Sequence, residues 1–122
     1  MDSMKRYYET TFIVNSYLED PQIDAIIAKV EETITKNGGV IKIFDRIGRK
    51  RLAYTIKKKN NGYYCYIMFE TAPELISKLE RVYQLEENIL RYLTLVLDKK
   101  AIAYRQKEQD KSKSEVVEPV QS

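Results

Sequence analysis

Two periods organise the apolar positions of this chain. Arg6 to Asn15, RYYETTFIVN, crowds aromatic and β-branched residues together without Gly or Pro, which predicts a strand. The period then lengthens: Ile23, Ile26, Ile27, Val30 and Ile34 fall on one face of a helix running from Pro21 to Lys36. Asp20 is placed to accept hydrogen bonds from the free amides at its start, and Pro21 suits a first turn that needs no donor. Asn37, Gly38 and Gly39 supply its left-handed stop. From Val40 a second strand, VIKIFDRI, continues through RLAYTI, with Gly48 marking a bend or bulge. KKKNNG turns the chain, and YYCYIMFE, Tyr63 to Glu70, returns as the third strand of a hairpin. Thr71 with Glu74 has the spacing of a capping box, and Leu75, Ile76, Leu79, Val82 and Tyr83 mark the buried face of a second helix. ILRYLTLVL, Ile89 to Leu97, is the last strand.

The order βαββαβ predicts an α+β, ferredoxin-like domain: a four-stranded antiparallel sheet in order 4-1-3-2, with both helices on one face. Sixteen helical residues span about 24 Å and eight strand residues about 26 Å, so the elements match in length. The domain is expected to occupy residues 1–98. Residues 99–122, rich in Lys, Gln, Ser and Glu, read as a charged and disordered tail, in which Ala101 to Gln106 is the stretch able to dock or turn helical.

Strand parity leaves the second sheet face unexplained. In strand three Tyr63, Cys65, Ile67 and Phe69 point one way, and Tyr64, Tyr66, Met68 and Glu70 the other. Strand four sets Ile89, Leu93, Leu95 and Leu97 opposite Leu90, Tyr92 and Val96. Two helices cover one face only, so the other is expected to meet a protein partner, a ligand or stacked bases, unless the tail folds over it. Tyr64, Tyr66, Met68 and Tyr92 are the partner-binding candidates.

Composition narrows the chemistry. The 122 residues, 43% apolar, suit one domain. No apolar run approaches the roughly 20 residues that cross a bilayer, and MDSMKRYYE lacks the apolar core of a signal peptide, so a cytoplasmic protein without a membrane partner is expected. With one cysteine and no histidine, the chain lacks the means for an internal disulfide, a multi-cysteine zinc site or a usual catalytic triad. Neither catalysis, a cofactor nor a small-molecule substrate is expected, and Cys65 reads as a core residue.

Charge distribution changes the picture more than the net value of +3. Arg46, Arg49, Lys50, Arg51, Lys57, Lys58 and Lys59 lie within fourteen residues that hold no acid, and without those seven the chain would carry −4. A basic hairpin on a mildly acidic body is the footprint of phosphate binding, with guanidinium forks for bidentate contacts and ammonium groups beside them. Edge lysines also discourage sheet-to-sheet pairing, but that needs few charges. Lys5 and Arg6 are expected to join the same basic surface from the first strand.

Three alternatives share the topology. An RNA recognition motif stacks bases on a third strand carrying a basic residue, Gly, an aromatic, a small residue and an aromatic. NGYYCYIMF keeps Gly62, Tyr63 and Phe69 but has Asn61, Tyr64 and Cys65 at mismatched places, which disfavours a single-strand reader using its aromatic face. Acylphosphatase-like chemistry needs a glycine-rich phosphate loop, and NSYLEDPQ has two acids and no glycine. A ligand-sensing or enzymatic ferredoxin-like domain leaves the basic hairpin without a purpose.

The residues themselves resemble one family. Met4, Lys5, Arg6, Tyr8 and Glu9 match a start of Met, basic residues and Tyr-Glu; Gly48, Arg49, Arg51, Leu52, Ala53, Tyr54 and Ile56 match most of a Gly-Arg-Arg-x-Leu-Ala-Tyr-Pro-Ile run; and LEENILRYLTL, with Asn88 and Arg91, matches the approach to the final strand. Over residues 4–98 the chain resembles bacterial small-subunit ribosomal protein six. The resemblance implies a structural constituent of the small ribosomal subunit that binds the central domain of its RNA together with ribosomal protein eighteen during assembly. It adds Arg91 to the RNA-binding candidates.

Overall fold

The computed structural model describes residues 4–50 and 62–115. Its elements are β1 (Arg6–Val14), α1 (Asp20–Lys36), β2 (Val40–Lys50), β3 (Gly62–Thr71), α2 (Glu74–Leu85), β4 (Ile89–Leu97) and α3 (Lys99–Glu115). The sheet is antiparallel throughout in the order β2-β3-β1-β4, the arrangement expected from the sequence read from the opposite edge.

Helices α1 and α2 cover one face. Phe12, Val14, Cys65, Ile67 and Phe69 from the sheet meet Ile23, Ile27, Val30 and Ile34 of α1 and Leu75, Leu79 and Tyr83 of α2. Each of the larger apolar side chains, fully removed from water, contributes about 1.5–3 kcal/mol. At the centre the fully buried Thr10 shares hydrogen bonds with the Tyr83 hydroxyl (2.8 Å) and with Thr94 (2.9 Å), so the polar atoms in this core satisfy one another. Gly48 has φ +98° beside a register shift in β2, the bend expected there.

Both helix starts differ from the sequence expectation. Glu19, not Asp20, caps α1: the Gln22 side chain accepts a hydrogen bond from the Glu19 amide (3.0 Å), and Asp20 becomes the first helical residue, its carboxylate free for another partner. Thr71 does not cap α2, because β3 runs on through it and buries it; the cap position falls to Pro73, with no side-chain bond. Strand pairing across the sheet outweighs the local capping signal.

The larger correction concerns the expected disordered tail. Lys99–Glu115 is a helix laid against the sheet face that α1 and α2 leave bare. Asp98 starts it, its carboxylate accepting from the Ala101 amide (2.8 Å) and its carbonyl from the Ile102 amide (2.9 Å). Ala101 and Ile102 pack on Ile43, Met68 and Leu97, beside Tyr7 and Tyr66. Lys, Arg, Gln, Glu and Ala are good helix formers, so a composition with little to bury still becomes helical once one side finds a surface.

Candidate functional site

The basic candidates fall into three groups. At the base of the hairpin, Arg46 and Arg49 lie opposite Cys65 and Tyr63 and project to the helix side of the sheet. Arg46 pairs with Asp24 and donates from Nε to the Tyr63 hydroxyl (3.1 Å); Arg49 donates from Nη2 to Asp20 (2.8 Å). Their guanidinium carbons lie 5.5 and 5.8 Å from the Tyr63 ring centre, within cation–π range. The bond to Asp24, followed by that to Tyr63, holds Arg46 more firmly protonated than usual, against the pull of burial. The hairpin charges are therefore less unbalanced than the sequence implied. Sequence reasoning took Asp20 only as a helix cap and passed over Asp24; the spacing of these two acids, one turn apart on α1 beside a basic strand, was the available signal that they pair with it. These pairs are exposed, and such pairs contribute about 0–1 kcal/mol, so a phosphate can replace either acid. Lys50 is exposed at the end of β2, while Arg51, Lys57, Lys58 and Lys59 lie outside the described residues.

Arg91 forms the second group. It pairs with Ile13, which pairs with Tyr64, which faces Gly48, so Arg91 sits at the hairpin end of the sheet on the open face. The third group corrects an expectation. Arg6 lies opposite Thr71, whereas Lys50 lies opposite Gly62, at the other end of β3. Nine residues of strand span about 30 Å, so Lys5 and Arg6 do not join the hairpin. They border instead, with Lys99, a surface trough of about 690 Å³ floored by Tyr7, Val96, Leu97 and Ile102.

The partner candidates divide as well. Tyr66 and Met68 lie on the open face beneath α3, and Tyr64 lies on the same side toward the hairpin. Tyr92 belongs to the other face: it pairs with the core residue Phe12 and stacks on Tyr83 with ring centres 4.7 Å apart. Parity within one strand says which residues share a face but not which face the helices take. A register shift between Ile13 and Val14 also turns Ile89 into the core, away from Leu93, Leu95 and Leu97. Cys65 is fully buried, and burial pushes its thiol up to about 12, so it stays a protonated core residue.

Sequence reasoning missed the polar centre of the open face altogether. Glu9, 9% exposed, accepts from Arg105 Nε (2.7 Å) and Nη2 (3.0 Å) and from the Tyr66 hydroxyl (2.8 Å). The bond from Arg105 holds the Glu9 carboxyl below its ordinary value against the opposing effect of burial, with Tyr66 assisting. Burial and the Glu9 bond push Tyr66 up to about 12. Among the described residues no group of acids and Cys could hold a metal ion, and no helix is long and apolar enough to cross a membrane.

A family model described as ribosomal protein S6 matches residues 7–96. The small ribosomal subunit protein bS6 of Clostridium novyi is 42% identical over 90 residues, covering 74% of this chain and 95% of that protein. Its counterpart in Caldanaerobacter subterraneus is 37% identical over 93 residues, 76% of this chain and 98% of that protein. Among solved structures, the crystal structure of 30S ribosomal protein S6 from Thermotoga maritima superposes with a TM-score of 0.72 at 26% identity, covering 89% of this chain and 99% of that one.

Proposed function

This chain belongs to the ribosomal protein S6 family, and on that premise we propose that it binds the central domain of small-subunit ribosomal RNA together with ribosomal protein eighteen during assembly. Membership makes it a structural component of the bacterial small ribosomal subunit, in the cytoplasm, and not an enzyme. Its RNA contacts and the identity of its protein partner are our reading.

One observation carries that reading. Arg46 and Arg49 flank the Tyr63 ring, held by Asp24 and Asp20, at the root of the strand that leads into Arg51 and Lys57 to Lys59. Two oriented guanidinium groups with exchangeable acidic partners are suited to take phosphate oxygens two at a time. Lys50 adds a point charge beside them, and Arg91 serves a strand of RNA that crosses the hairpin end onto the open face. Phosphate contacts of this kind position the protein, while specificity comes from RNA shape and the surface shared with the protein partner. Lys5 and Arg6, about 30 Å away, would meet a different segment of the RNA. The half-buried Tyr64 and the α3-covered Tyr66 and Met68 line the face we assign to the partner; Tyr92, packed against the core, has no such role.

The test is RNA binding to a central-domain fragment at two salt concentrations, with and without ribosomal protein eighteen. Binding is expected to be tighter with the partner present. Replacing Arg46, Arg49 and Lys50 with Ala should reduce the salt slope by about 0.7–0.9 for each phosphate that is no longer neutralised. An unchanged slope refutes the hairpin assignment, and partner-independent affinity refutes co-binding. Asp20→Asn with Asp24→Asn should move affinity the other way, tightening RNA binding at low salt by removing the competing acids.

A further inference from the structure

The open face holds a charge where a surface made for apolar contact should have none. Glu9 lies mid-strand between Met68 and Leu95, with Tyr7 two residues before it, and its carboxylate is almost wholly withdrawn from water. Such a group is tolerated only beside a cation with its lone pairs filled. Arg105 meets both conditions with a two-armed contact, and the Tyr66 hydroxyl supplies the remaining bond.

The helix that brings Arg105 is otherwise weakly held. Among its described side chains the apolar contribution is Ala101 and Ile102, while Lys99, Lys100, Tyr104, Gln106, Lys107 and Glu108 are exposed. It also lies outside the family match. Glu9 falls within the family match, which ends at residue 96, and Arg105 falls outside it. In Clostridium novyi bS6, 90 matched residues make up 95% of the protein, so the shared unit stands with almost no chain beyond it. A single residue, Asp98, separates β4 from α3, so rotation there is enough to lift the helix from the sheet.

We propose that α3 is an intramolecular stand-in for the protein partner, and that the partner docks on this face by displacing it, presenting a guanidinium to Glu9 and small apolar side chains to Tyr7, Met68 and Leu97. This rests on the assignment of the open face to ribosomal protein eighteen. Charge complementarity defines the occupant: the carboxylate that α3 uncovers needs a cation in return, and a planar fork reproduces the two bonds from Arg105. An apparent affinity is reduced by the fraction of molecules whose site is free, so loosening α3 must tighten partner binding.

The experiment compares the full chain with Arg105→Ala, which leaves the family domain untouched, using purified ribosomal protein eighteen as the probe. Titration calorimetry should show binding several-fold to about tenfold tighter for Arg105→Ala, and amide exchange over residues 101–108 should accelerate when the partner is added to the unsubstituted chain. Adding Glu9→Ala to the Arg105→Ala chain should then weaken binding by at least about tenfold, with thermal melting confirming that the domain remains folded. Equal or weaker binding by Arg105→Ala overturns the proposal and leaves the partner assignment standing. So does increased protection of 101–108 on binding, which would make α3 part of the interface. Absence of binding by either chain removes the partner assignment and the proposal together.

Discussion

The two faces of one sheet are closed in different ways. Beneath α1 and α2, Phe12, Cys65, Ile67 and Phe69 are fully buried among aliphatic side chains, and even the hydroxyls of Thr10 and Tyr83 serve each other. Beneath α3 the seal from the helix is Ala101, Ile102 and one guanidinium that grips a carboxylate. Apolar packing is roughly proportional to area and has no adequate substitute except an equal area. A charge contact is local and directional, so another molecule carrying the same group can replace it. The first face holds the fold; the second is built to be exchanged.

The sharpest way to break this contrast is to injure each face and compare the effects. Phe12→Ala should cost about 3–5 kcal/mol of stability by emptying the first face, seen as a large drop in denaturation midpoint. Thr10→Val removes one partner from the Tyr83 hydroxyl and should cost about 1–3 kcal/mol, because a buried polar group loses its bond. Arg105→Ala should shift global unfolding by no more than about 1 kcal/mol, although it releases α3; a drop comparable to that of Phe12→Ala would show that the second face also holds the fold.

Acid offers a gentler probe of the same contrast. Because Glu9 in the folded chain lies below its ordinary 4.5, its contribution to docking is complete above that value and is lost as pH falls through the lower folded value. Amide exchange over α3 should therefore stay slow from about pH 6 down past the ordinary carboxylate range and quicken below it, while the core amides beneath α1 and α2 hold. Exchange that quickens equally on both faces would mean that acid unfolds the molecule as a whole and that Glu9 is no local latch.

Much of the first face was legible in the sequence. Ile23, Ile27, Val30 and Ile34 repeat at helical spacing, strand three alternates cleanly, and together they determine the βαββαβ order and its sheet. The second face was only half legible. That it was apolar followed from Tyr64, Tyr66 and Met68, but its cover depends on Arg105 meeting Glu9 across 96 positions, and no local pattern carries such a pairing. A solvated helix and a disordered tail have the same composition, which is why Lys99 onward read as the latter. The site followed suit: the hairpin's cations could be counted from sequence, whereas the pairing of Arg46 with Asp24 and of Arg49 with Asp20 required the packing of α1 beside β2. Tyr92 was misplaced because parity within a strand does not say which face the helices take, and Ile89 because one register shift changes what parity implies.

The one-residue link at Asp98 has a kinetic meaning. A segment tethered this closely experiences its own docking surface at an effective concentration in the millimolar range or above. A contact too weak to be detected between separate molecules is then enough to keep α3 seated most of the time, and seating needs no search through solution. A competitor with micromolar affinity still prevails once its own concentration rises far enough above its dissociation constant. The tether therefore sets a threshold: the level of free partner, rather than any chemical signal, decides when the face changes hands.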